Sequence, residues 1–172
     1  MMSFNIDSNN YKFDSRSGYT YESFFFEILN SYLTNRLINF DNINYLSETN
    51  LKIKYGGVVS GIDHLIIDKL NKKIFAVQQK LRSDTVPTAE VDSFISSINY
   101  LEKIFNYNII PIFVSTRKST SMVMSRKYYD TIKWFVYVNP EIAVRNSINY
   151  IFEGRIIYED VGNIQYSDCI MD

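Results

Sequence analysis

Within the run FAVQQK, Phe75 to Lys80, an apolar strand turns polar with no Gly, Pro or Asn to end it. Side chains alternate faces along a strand, so Ala76, Gln78 and Lys80 share one face while Phe75, Val77 and Gln79 share the other. If GIDHLIID and KKIFAVQQK pair through the LNKK turn, equal steps back from that turn bring Asp63 within reach of Gln78. A carboxylate oxygen, an amide oxygen and an ammonium then converge. That set suits a hard divalent cation such as Mg²⁺, which takes oxygen ligands, keeps several waters and bridges to phosphate, with Lys80 holding or polarising an attacking water. Gln78 is a neutral and weaker ligand than a carboxylate, so a metal held here would bind loosely without substrate.

Asp63 and two further residues bear on this cluster. Asp63 interrupts GVVSGIDHLII, a segment apolar on both faces, where Asp is a poor strand residue. A hydrogen-bonded buried Asp or a β-bulge after Gly61 would also account for it, whereas Asp68 is explained by the turn that follows. Glu22 lies on the helical stripe of Phe25, Phe26 and Leu29, while Glu27 lies with Asn30, Ser31 and Thr34. A carboxylate facing a core is costly unless paired, although a first-turn Glu also favours the helix dipole. His64 follows Asp63 on the opposite face of the strand, as a packed histidine or one that supports the site from behind.

The elements that must position these residues follow from periodicity. Residues 20–36 predict an amphipathic helix, and 39–50 a polar connector. LKIKYGGVVS, GIDHLIIDKL and KKIFAVQQK read as three successive strands in an antiparallel meander. Apolar residues recur at three and four from Thr88 to Phe105, after Pro87, which predicts a helix. NIIPIFVS reads as a buried strand, SMVMSRKYYDTIK as a helix and WFVYVN as a strand. Pro140 opens a last helix to about Phe152. The order helix, three strands, helix, strand, helix, strand, helix implies an α/β fold: one mixed sheet with helices on both faces. Residues 1–16 read as a loose arm, and the tail from Gly154 has too little pattern to place.

A chain of 172 residues fits a single domain with one substantial core, and 46% hydrophobic against 22% charged residues excludes a mainly disordered chain. Net charge is −1, so nucleic acid could be held only by local basic contacts, not by coating. Lys69, Lys72, Lys73, Lys80 and Arg82 form one basic group, and Arg117, Lys118, Arg126 and Lys127 another. Both fit a solvated surface, and Arg82, Arg117 and Lys118 are also placed to contact phosphate. Tyr128 and Tyr129 fit either a core or a surface on which bases stack. One cysteine and one histidine exclude an intramolecular disulfide and a zinc cluster. No apolar run approaches the ~20 residues of a membrane span, and the start MMSFNIDSNN lacks the regions of a signal peptide, so an intracellular, soluble protein of cytoplasm or nucleus is expected.

GYTYE, ending in Glu22, GIDHLII with Asp63, and AVQQK with Gln78-x-Lys80 together resemble the PD-(D/E)XK nuclease superfamily, and more closely its Mrr-like restriction endonuclease branch. IIPIFVSTRKSTSMVMSRKYYD is similar to the strand, hydroxyl-rich loop and helix that follow in those nucleases. The resemblance runs from Gly18 to Asn139. It departs at Ile62, where a Pro often precedes the Asp, and at Gln78, which replaces the usual acid. It implies a restriction-endonuclease-like fold and Mg²⁺- or Mn²⁺-dependent hydrolysis of DNA phosphodiester bonds to leave a 5′ phosphate. Asp63, Gln78 and Glu22 would be metal ligands, and Lys80 the catalytic lysine. Two single-site subunits, as a homodimer, would be needed to cut both strands together. Two other readings stay open: a catalytically silent domain of the same fold that binds nucleic acid or a protein, and a structural domain in which Asp63 and Lys80 form a buried ion pair.

Overall fold

A computed structural model describes residues 21–35, 42–82 and 84–154, so the expected arm 1–16 and the tail beyond Gly154 lie outside the described residues. Five strands, β1 (Ile43–Ser47), β2 (His64–Asp68), β3 (Lys73–Lys80), β4 (Asn108–Ser115) and β5 (Lys133–Val136), form one sheet in the order β1-β2-β3-β4-β5. The first three run antiparallel, and β3, β4 and β5 run parallel, so the sheet is mixed as expected. Among the described residues five α-helices accompany it: α1 (Tyr21–Asn35), α2 (Glu48–Tyr55), α3 (Thr88–Ile104), the four-residue α4 (Ser121–Met124) and α5 (Pro140–Glu153).

β3 is central, and it is apolar on both faces because both are covered. Ile74 and Ala76 join a core with Leu51 of α2 and with Val91, Phe94, Ile98 and Leu101 of α3. Phe75 and Val77 join a second core with Phe24, Phe25, Leu29 and Leu33 of α1 and Val144 and Ile148 of α5. The ends of α5 match its sequence. The Asn139 side chain accepts from the N–H groups of Glu141 and Ile142, Pro140 takes the first turn, and Gly154 closes the helix in the left-handed region at φ 69°.

Two expected elements are corrected. The first strand of the meander is INYLS at 43–47, inside the expected connector, and 51–55 of the expected strand is helical. Leu51, Ile53 and Tyr55 alternate like a strand, yet Ile53 is 79% exposed and only Leu51 is buried. The Ser47 side chain accepts from the Asn50 N–H and starts α2 instead. The expected helix 121–133 is α4 followed by a 3₁₀ turn at Tyr129–Thr131, where the Trp134 indole N–H donates to the Tyr129 carbonyl. On α1 the buried stripe is Phe24, Phe25, Ile28, Leu29 and Leu33, and Phe26 is 45% exposed, so the stripe is rotated from its expected phase.

Gly61 lies two residues before Asp63, where the chain passes against α3. A Cβ here would stand 2.7 Å from the Ser93 carbonyl oxygen and 2.8 Å from the Phe94 backbone. Helix backbone cannot yield locally, so Gly61→Ala should destabilise the protein by about 1–3 kcal/mol. A urea melt should show a lower midpoint at an unchanged slope. An unmoved midpoint would mean that α3 does not bear on this segment.

Candidate functional site

The hairpin of β2 and β3 pairs His64 with Val77 and Asp68 with Lys73. The Asp63 N–H donates to the Val77 carbonyl at 2.9 Å, which carries the ladder on towards Gln78. Register therefore sets Asp63 across from Gln78, and alternation puts Gln78 and Lys80 on the face of Ile74 and Ala76. Gln78 is only 4% exposed, and its Oε1 is buried with no hydrogen-bond partner among the described residues. A buried amide oxygen left unpaired costs about 1–3 kcal/mol.

Gln79 points to the other face, and its backbone N–H and both its side-chain polar atoms are hydrogen-bonded. Its backbone N–H donates to Asp63 Oδ2 at 2.8 Å, and its side-chain Nε2 donates to the Tyr21 carbonyl of α1 at 3.2 Å. Its Oε1 lies 2.5 Å from His64 Nε2, and since an amide oxygen only accepts, His64 carries its proton on Nε2. Nδ1 then accepts from the Tyr45 hydroxyl at 2.7 Å. Phe25 stacks on the imidazole, with ring centroids 4.1 Å apart. Burial lowers the His64 pKa to about 4, against the opposing pull of its bond to Gln79, so the ring is neutral near pH 7. His64 thus sits behind the cluster as a packed, bonded residue.

Asp63 is buried, and desolvation raises its pKa to about 7. The Gln79 N–H and the Lys80 ammonium pull it down, while the carboxylates of Glu22 and Glu48 push it up. Glu22, half-buried in the first turn of α1, is thus within electrostatic reach of Asp63, whereas Glu27 is exposed. Glu48, missing from the sequence reading, comes from α2, where Lys52 pairs with it at 2.5 Å. Its signal was present: a serine cap followed by a Glu and Lys four apart belongs to a helix start. Gln79 was equally legible as a polar residue on the apolar face of Phe75 and Val77.

The other expected contacts are placed as follows. Arg82 pairs with Glu90 of α3, Arg117 donates to the Thr116 carbonyl at 3.0 Å, and Lys118 is exposed. Tyr129 is buried against Trp134, and Tyr128 donates to Asp92. Tyr129 is a core residue. Among the described residues no three His, Cys, Asp or Glu side chains group as a metal site. Nor do the described residues hold a helix long and apolar enough to cross a membrane.

No family model matches the chain. Among solved structures, the MspJI restriction endonuclease in complex with a 27-mer oligonucleotide aligns at a TM-score of 0.37 and 15% sequence identity, over 74% of this chain. That alignment spans 29% of the MspJI chain, less than a third of its length.

The buried Asp63 makes stability depend on pH. Its carboxyl holds a proton in the folded state up to about pH 7, and in the unfolded chain only to about pH 4. Between these values the folded state binds more protons, so the burial of Asp63 increasingly destabilises the metal-free protein as pH rises, with the full cost above about pH 7. The groups facing it are Glu22, Glu48, Tyr45, Lys52 and Lys80. Asp63→Asn should remove the dependence and gain on the order of a few kcal/mol on wild type between pH 5 and pH 8. Urea melts across that range, in chelator, measure the difference; parallel curves for the two proteins would refute it.

Proposed function

We propose that this chain is a divalent-metal-dependent endonuclease that hydrolyses DNA phosphodiester bonds, of the Mrr-like kind its motifs resemble. One observation carries the reading: a buried amide oxygen on Gln78, with no partner among the described residues, stands across the hairpin from the buried Asp63 and two residues from a lysine on its own face. A structural strand has no use for an orphaned oxygen there, and a cation gives it a partner. The residues fit such an ion. Asp63 and Gln78 Oε1 would hold it, with Glu22 completing the set from α1. When bound, Mg²⁺ or Mn²⁺ supplies Lewis acidity towards a phosphate oxygen and lowers the pKa of a coordinated water.

The side chains do the rest. Asp63 contributes its charge only once its proton has left, so occupation of the site releases a proton at pH 7 and below. Lys80 orients the attacking water and offsets the negative charge that grows on the phosphate. Arg117 and Lys118, in the loop after β4, and Arg82, held by Glu90, line the approach for neighbouring phosphates of the DNA. Two subunits would cut the two strands.

Plasmid nicking with Mg²⁺ and Mn²⁺ tests the reading directly. Wild type should nick, and Lys80→Ala should lose about 10²–10³-fold in rate. Gln78→Glu keeps the oxygen and adds charge, so metal affinity should rise and nicking survive. Gln78→Leu keeps the bulk, and should lose both metal binding and nicking while still folding. Equal Mn²⁺ affinity by calorimetry for wild type and Gln78→Leu would refute the ligand role, and metal and DNA binding without cleavage would favour the silent domain.

A further inference from the structure

Gln79 bonds to three residues, two at the start of β2 and one on α1. Its backbone N–H donates to Asp63 Oδ2 at the entry to β2, its amide nitrogen donates to the Tyr21 carbonyl on α1, and its amide oxygen accepts from the His64 Nε2–H. Each of those attachments lies on or next to a residue of the site, Asp63 itself, Tyr21 before Glu22 and His64 after Asp63, while Gln78 and Lys80 stand on either side of Gln79. Tyr21 is pinned from its other end as well, its hydroxyl donating to the Pro140 carbonyl at 2.8 Å. The donors run one way, from Tyr45 O–H to His64, from His64 to Gln79, and from Gln79 to the Tyr21 carbonyl, so each bond favours the next. Reversing the Gln79 amide would set its oxygen against the Tyr21 carbonyl, which only accepts, so the Tyr21 contact fixes the amide and, through it, the Nε2–H tautomer of His64.

A core alone does not call for this. Gln79 and His64 are each 2% exposed on a face otherwise made of Phe25, Phe75 and Val77, where apolar side chains would pack without needing partners. We infer that Gln79 and His64 are positioning residues: behind the sheet, they hold Asp63 and the Glu22 turn of α1 at the spacing that the Gln78 and Lys80 face requires. The inference rests on the nuclease reading. Small displacements of such groups cost large factors in rate, and supporting partners of metal ligands typically contribute about 10–100-fold to affinity or activity.

The test uses three substitutions away from the proposed ligands. Gln79→Met keeps length and removes two side-chain bonds, His64→Phe keeps the stack on Phe25, and Tyr45→Phe removes only the outermost hydroxyl. Gln79→Met and His64→Phe should lower kcat for nicking by about 10–100-fold, leave KM for DNA within about twofold, and weaken Mn²⁺ binding in calorimetry. Tyr45→Phe, the mildest change, should lose less than about tenfold while folding as wild type does. The chain has a single histidine, so ¹⁵N spectra of untagged protein read its imidazole without assignment. Wild type should show the Nε2–H tautomer, and Mg²⁺ should shift that signal in wild type but not in Gln79→Met. If wild type binds Mn²⁺ and nicks, and folded variants match its kcat and metal affinity while losing only thermal stability, this inference fails and the nuclease reading stands. If wild type neither binds Mn²⁺ nor nicks, the functional reading fails and takes the inference with it.

Discussion

The antiparallel register of β2 against β3 is the constraint on which the candidate site depends. His64 faces Val77, the Asp63 N–H reaches the Val77 carbonyl, and the Asp63 carboxylate accepts from the Gln79 N–H. A slip of one residue would exchange the faces of the whole strand, sending Gln78 and Lys80 into the core of α1 and α5 and Phe75 and Val77 towards α3. Both cores oppose that slip, because β3 is covered on both sides and each face has its own packing partners.

The end of this hairpin concentrates groups that burial penalises. Asp63 and Gln78 are both buried, one favouring its protonated form and one with an unpaired oxygen, while Glu22 and Glu48 add negative charge from α1 and α2. Lys80 and the Gln79 N–H offset only part of this. The remaining sequence invests in stability elsewhere, through two apolar cores and a well-capped α5.

Beside the candidate site, two loops are fastened together. Beyond β3, the Arg82 N–H donates to Thr116 Oγ1 at 2.9 Å and its carbonyl accepts from the same hydroxyl at 3.0 Å. The Val86 N–H then donates to the Lys118 carbonyl, and the Thr120 N–H to the Val86 carbonyl. The hydroxyl-rich run STRKST therefore serves as a clasp that stops β3 after Lys80, and Glu90 fixes the Arg82 guanidinium from α3.

By itself the sequence determined the pairing of the hairpin and the face each of its residues takes. A period of two over 73–80 assigns Gln78 and Lys80 to one face, and a short turn of countable length sets Asp63 opposite Gln78, because both follow from local geometry. The span of α3, the eight residues of β4 and the Pro140 start of α5 were legible for the same reason: long periodic runs with clear end signals. Residues 43–55 were not, since an edge strand half-buried on both faces has little alternation, while Leu51, Ile53 and Tyr55 alternate by coincidence on a capped helix. The rotation of α1 that exposes Phe26, the approach of Glu48 to Asp63, and the bonds from Gln79 to His64 and Tyr21 were decided only in the tertiary structure. Each depends on how elements far apart in the chain pack, and the spacing of residues within any one element carries no record of that.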